Sequence, residues 1–307
     1  MSKGLICKVY DLQKSIEEFP IHIFGKVSYR VISIFLRRIL PMYYKYSIRK
    51  EKNLNDANNN VHEKIIISLT TFPERVSQIG TVLESLFNQT LKADKIILWL
   101  AEEQFLNKKD IEKVFERFFE RGLIIKYCDD LKSHKKYFYA LQEYVESLVI
   151  TVDDDLFYPE DMVEKLYKVH TEHEDCIVCM RAHKMEFANG ELQPYSVWST
   201  GAKGVTGPDR NLFFTSGGGT LFPKHCFSKR CFDEEAIKEF CFYADDVWLN
   251  CMRILDGRQT VKVDQKYPEY ISVKNAKKTG LAKMNVEQNQ NDIQFKNVIE
   301  RYNIKFV

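Results

Sequence analysis

The sequence predicts an α/β fold, a mostly parallel central sheet flanked by helices, with a helical appendage ahead of it. Three observations carry that prediction. Short apolar, β-branched runs at Lys64–Thr70, Lys95–Leu100, Leu123–Cys128 and Leu148–Val152 alternate with stretches of helical periodicity. The connections between strands and helices are short, as in a parallel, doubly wound sheet. The fourth run passes at once into Asp153-Asp154-Asp155. A buried parallel strand delivers carboxylates in this way to its carboxyl end, where open α/β sheets bind ligands.

The elements follow in order. Residues 1–52 hold eleven Lys or Arg against four Asp or Glu, a net of +7 in a chain whose formal charge is +2, which leaves −5 for the rest. The basic character therefore belongs to the amino-terminal segment, and the main body offers no general surface for nucleic acid. Val27–Leu40 is the most apolar part, but Arg30, Arg37 and Arg38 interrupt it and Pro41 ends it. A membrane span needs about 20 mostly apolar residues, so none is expected. Two uses of residues 1–52 stay open: peripheral contact with an anionic membrane surface, or packing on the main domain with the basic face in water.

Asn53–Asn60 is a polar linker. Three units are expected: an appendage and linker over 1–60, a catalytic domain over 61–265, and a tail over 266–307 that packs back on it. Within the catalytic domain helices are predicted at Val76–Asn88, Asn107–Arg121 and Lys136–Ser147, then Pro159–Glu174 and Phe240–Leu255. Asp175–Met180 and Val261–Val263 read as further strands, and Ser199–Asn211 as a mobile loop. A last helix is expected around Val286–Tyr302. No secretory signal of the usual form precedes the eight cysteines, so free thiols in a reducing cytoplasm are expected. Cys176 and Cys179 read as strand residues, and His170 and His173 as solvated.

The acids carry the chemistry. If the strand continues through them, Asp153 and Asp155 share one side. Two carboxylates about 4 Å apart repel by roughly 4 kcal/mol at an effective dielectric near 20. Three in succession call for a cation, and oxygen ligands suit Mg²⁺ or Mn²⁺. A second acidic pair, Asp245-Asp246, lies near the start of the helix predicted over Phe240–Leu255, and Thr215-Ser-Gly-Gly-Gly219 lets backbone approach a ligand closely. No P-loop, nucleophile elbow or His-Glu-x-x-His helix occurs.

Taken together, Ile65–Arg75, Val149–Asp155, Ser216–Pro223 and Ala244-Asp-Asp-Val-Trp248 resemble the GT-A glycosyltransferases, near the large family-two class of bacterial sugar transferases. The resemblance spans roughly residues 64–265. It implies a nucleotide-sugar donor, with UDP the commonest carrier, and a glycan or lipid-linked acceptor in surface polysaccharide, capsule or lipopolysaccharide assembly. The setting implied is the cytoplasm, at the inner face of the cell membrane. Asp155 would ligate the metal. Asp153 would touch the ribose or a metal-bound water, and Asp154 would share either role. Thr70, Phe72, Arg75, Asp129, Asp130, Lys135 and Lys136 would line the nucleotide and diphosphate, and Ser216, Gly217, Gly218 and Gly219 the sugar. In inverting members the second acidic pair supplies the base, here Asp246 supported by Asp245. Trp198 and Trp248 would line the acceptor or donor pocket, with a place in the core the equal alternative for Trp248. Two other classes stay open: a Mg²⁺-dependent nucleotidyl or phosphoryl transferase, and a silent carbohydrate-binding scaffold.

Overall fold

The computed structural model describes residues 4–17, 31, 34–35, 38–39, 42–43, 63–202, 204–264, 270–273 and 289–306. The linker Asn53–Asn60, most of Val27–Leu40 and most of residues 266–288 lie outside the described residues.

After α1 (Leu5–Glu17), β1 (Ile65–Thr70) leads through α2 (Val76–Phe87) to β2 (Lys95–Ala101). Next come α3 (Lys108–Phe119), β3 (Leu123–Cys128), α4 (Lys135–Glu143), β4 (Leu148–Val152), α5 (Met162–Glu172) and β5 (Ile177–Cys179). Short strands β6 (Ala182–Lys184), β7 (Phe187–Ala188), β8 (Glu191–Leu192) and β9 (Leu212–Phe214) precede β10 (Gly218–Phe222). The chain continues through α6 (Glu234–Phe240), α7 (Asp245–Leu255) and β11 (Thr260–Lys262) to α8 (Gln290–Tyr302).

Seven strands form the central sheet, in the order β11-β5-β10-β4-β1-β2-β3. All pairs are parallel except those of β10, which runs antiparallel between β4 and β5. Side-chain alternation divides the core between the two faces: Ile65, Ile67 and Leu69 pack with α2, α3 and α5, whereas Ile66 joins the layer under α4, α6, α7 and α8. This mixed sheet, flanked by helices, is the GT-A-like architecture that the sequence predicts.

Three differences from the sequence reading bear on the site. Gly218–Phe222 is a central strand where only a glycine loop was expected. The helix expected over Phe240–Leu255 is two helices, broken at residues 241–244, so Asp245 and Asp246 open α7. There the helix macrodipole favours negative charge. His170, expected in solvent, is buried beside Tyr167, 3.5 Å from Glu63.

α1 is anchored to the body. Ile6 and Cys7 donate their backbone N–H groups to Glu160 at 2.9 and 2.8 Å, which satisfies the open end of the helix. The Tyr10 hydroxyl donates to the Phe157 carbonyl at 2.9 Å and accepts from the Ile271 N–H at 2.8 Å.

Candidate active site

A cavity of about 700 Å³ opens at the carboxyl edge of β1 and β4. The antiparallel run of β10 explains its floor, because the start of β10 lies beside the end of β4, with Gly218 opposite Val152. Asp153 donates its N–H to the Gly217 carbonyl at 3.2 Å. A Cβ on Gly217 would sit 1.8 Å from the Asp153 carboxylate, so the acid lies directly over bare backbone.

β4 ends at Val152, so the strict alternation expected through the acids gives way to a turn and all three line the cavity. Asp154 is buried and committed. It accepts from Thr71 Oγ1 and from Arg75, each at 2.5 Å. Asp155 reaches the same Arg75 nitrogen at 2.9 Å. Asp153 instead pairs with Lys136 at 2.8 Å, its side chain 36% exposed. Burial, then the Asp153 charge, push Asp155 up to about 6, against the pull of Arg75.

The second acidic pair meets the first through one ammonium. Lys136 is buried and lies 2.9 Å from Asp245, so it bridges Asp153 and Asp245. Ser216, just before β10, donates its hydroxyl to Asp245 or Asp246, each 2.6 Å away, and its N–H to Asp246 at 2.7 Å. Burial acts to raise Asp245, but Lys136 and His134 more than offset it and hold its carboxyl well below the usual range. Burial and the neighbouring Asp245 charge carry Asp246 up to about 6. Two adjacent carboxylates are thus driven apart, one permanently charged and one poised to exchange a proton.

Of the residues expected to hold the nucleotide, Thr70 and Phe72 line the cavity, the Thr70 hydroxyl donating to the Trp99 carbonyl and the Phe72 ring lying 5.0 Å from the Arg75 guanidinium. Asp129 does not line the cavity; it is exposed, and its carbonyl accepts from Tyr139. The next residue, Asp130, takes that place and is paired with Lys132 and Lys135. Burial opposes its charge, but those two cations lower it to about 2.

The two tryptophans do not line the cavity. Trp198 packs against Phe213 and Phe295, its indole N–H donating to the Gln193 carbonyl; Trp248 is fully buried and donates to the Cys231 carbonyl. Both satisfy their one donor inside the core, which removes them from sugar stacking. Gly218 and Gly219 lie within β10 behind the surface, and Gly217 alone of the three reaches the cavity. The cavity-lining residues that the sequence reading missed are Thr71, Arg181, His183 and Tyr195; of those it named, Asp130 lines the space and Ser216 holds the acids instead of lining it. Arg181 and His183 had a signal: they follow β5 as the acids follow β4, and both strands run in one direction.

No protein-family model matches the chain, and no curated protein matches its sequence. Among solved structures, S. aureus TarS 1–349 is 15% identical with a TM-score of 0.44, covering 78% of this chain and 72% of that one. A mannosyltransferase, PcManGT from Pyrobaculum calidifontis, in complex with GDP-Man and Mn²⁺, is 12% identical with a TM-score of 0.49, covering 95% and 76%. The 4-diphosphocytidyl-2C-methyl-D-erythritol synthase of Anaerococcus prevotii is 16% identical with a TM-score of 0.41, covering 67% and 92%. Each is a distant likeness. The strand order of this chain, with acids gathered at the carboxyl edge of a mixed seven-stranded sheet, is what gives it a GT-A-like fold.

Proposed function

We propose that the protein is a metal-dependent glycosyltransferase. It moves a hexose or an N-acetylhexosamine from a nucleotide-sugar donor, UDP being the expected carrier, to a hydroxyl of a glycan or lipid-linked acceptor, with inversion. One observation carries this reading. Asp153, Asp154, Asp155, Asp245 and Asp246 surround one cavity, and among the described residues their ion-pair partners are Arg75 and Lys136 alone. Five carboxylates on two cations leave an unbalanced negative charge.

Asp153 and Asp155 fit a divalent ion shared with substrate. No group of three His, Cys, Asp or Glu among the described residues could enclose an ion by itself. Mg²⁺ and Mn²⁺ sites at phosphates need no such cage, since one or two carboxylates suffice and water and phosphate oxygens complete the shell. Such an ion supplies Lewis-acid stabilisation for the charge that grows on a departing diphosphate.

The chain's own groups supply the rest. Asp154 and Thr71 fix Arg75, whose planar fork suits phosphate oxygens. Phe72, Asp130 and Lys135 serve the nucleoside and diphosphate, and the bare backbone at Gly217 gives the sugar room. Asp246, ionised at neutral pH but more basic than an ordinary carboxylate, takes the proton from the acceptor hydroxyl as it attacks the anomeric carbon. Ser216 fixes the orientation of that base, and Lys136 keeps Asp245 charged beside it. The basic residues 1–52 fit attachment to an anionic cytoplasmic membrane face, where surface polysaccharide, capsule or lipopolysaccharide is assembled. No helix among the described residues is long and apolar enough to cross a membrane.

The test is a thermal-shift panel of UDP, GDP, CDP and dTDP, each with and without Mn²⁺. One base stands out and needs the metal; the absence of any shift overturns the donor reading. A nucleoside diphosphate among the products supports sugar transfer, whereas pyrophosphate points to nucleotidyl transfer.

A further inference from the structure

Five cations line the cavity: Arg75, Lys132, Lys135, Lys136 and Arg181. The first four each stand in an ion pair. Arg181 has no carboxylate within ion-pair distance among the described residues; its Nε donates to Thr215 Oγ1 at 2.8 Å. Thr215 also donates its backbone N–H to the Arg181 carbonyl at 3.1 Å, so the residue is held from two directions. A half-buried guanidinium fixed at Nε presents its terminal nitrogens as a fork without an anion.

Two residues on, His183 lines the same wall. Its Nδ1 accepts from the Gly201 N–H at 3.1 Å, which assigns the ring proton of the neutral imidazole to Nε2 and makes that nitrogen a donor. Burial and the Arg181 charge push His183 down to about 4, so the ring stays neutral at physiological pH. Tyr195 meets His183 edge-on, with ring centroids 5.6 Å apart. Asp246 and Arg181 are both close enough to act on the Tyr195 hydroxyl electrostatically, which sets this wall next to the candidate base. The charges that bear most on Asp246 are Asp245 and Lys136, so Arg181 is not simply its counter-ion.

We infer that Arg181, His183 and Tyr195 form an acceptor subsite for a saccharide bearing a negatively charged group, a phosphate or a carboxylate, near the hydroxyl to be glycosylated. The Arg181 fork and the His183 Nε2–H grip the anion, and the Tyr195 ring supports the sugar face. The subsite rests on the transferase reading, because the hydroxyl it positions is the one that Asp246 deprotonates.

The experiment titrates glucose, glucuronic acid and glucose 6-phosphate by calorimetry into the whole 307-residue chain saturated with UDP and Mn²⁺. The charged sugars bind about tenfold more tightly than glucose, the scale of one charge-assisted hydrogen bond. The tighter of the two identifies carboxylate or phosphate as the preferred anion. Arg181→Gln abolishes the advantage and Arg181→Lys keeps part of it, while the thermal shift given by UDP and Mn²⁺ is the same in all three proteins. Equal binding of the three sugars, binding of none, or an advantage that survives Arg181→Gln overturns the subsite. A UDP shift lost only in Arg181→Gln assigns the arginine to the donor and also overturns it. A UDP shift absent from the unsubstituted protein fails the donor reading itself, and the subsite with it.

Discussion

In the proposed reaction Asp246 and Gly217 divide the work. Asp246→Asn keeps the shape and the Ser216 contacts but removes the basic oxygen pair. It lowers kcat by about 10²–10⁴-fold, the usual worth of a positioned general base, while the thermal shift given by UDP and Mn²⁺ is retained. Steady-state kinetics beside a melt read both at once. Gly217→Ala acts differently. Its Cβ would fall on the Asp153 carboxylate, the movable end of a half-exposed side chain, so stability changes by only about 1 kcal/mol while the acid is turned away from Lys136. The Mn²⁺-dependent part of the nucleotide shift is lost, and a denaturant melt shows a nearly unchanged midpoint.

At the scale of elements, Ser216 joins the start of β10 to the first turn of α7, and its two bonds to Asp246 favour the charged form. An acid that must be ionised to act gives a rate that falls as pH drops through its pKa, here about 6. Ser216→Ala removes one of those bonds and shifts the acid limb of the kcat profile to higher pH; an unmoved limb assigns it to another group. The same elements mark what the sequence could disclose. β1 through β4 were legible because β-branched runs bounded by helices have few other uses, and the acids after β4 were legible because so apolar a strand rarely ends in three charges. β10 was not, since Gly218 and Gly219 depress strand propensity and their pairing comes from β4 and β5 on either side. The break ahead of α7 was hidden because Cys241-Phe-Tyr-Ala244 prolongs an apolar pattern that periodicity reads as more helix. Burial of Trp198 and Trp248, and the choice of Asp130 over Asp129, depend on packing from distant segments and leave no local trace.

Over the whole molecule, opposed titrations bear on stability. Asp154, Asp155 and Asp246 are raised by burial, so the folded state takes up protons before the unfolded chain does, and these groups add stability as pH falls from 7. His134, His170 and His183 are lowered by burial, so the unfolded chain takes up protons first and these groups remove stability over an overlapping range. Asp246→Asn deletes one of the acids; its melting temperature therefore falls relative to the unsubstituted protein between pH 7 and 5. Parallel melting curves at the two pH values would contradict the assignment. Tyr10→Phe tests the docking of α1. It leaves the Phe157 carbonyl and the Ile271 N–H without their shared hydroxyl, at about 1–3 kcal/mol, read from the denaturant midpoint.

That hydroxyl also has a consequence for how the chain acquires its shape. It closes loops of 147 and 261 residues at a single oxygen. During synthesis the first helix leaves the ribosome long before either partner exists, and contacts so distant in sequence are slow to form. Docking of the amino-terminal helix therefore belongs among the last events of folding, after the sheet has closed.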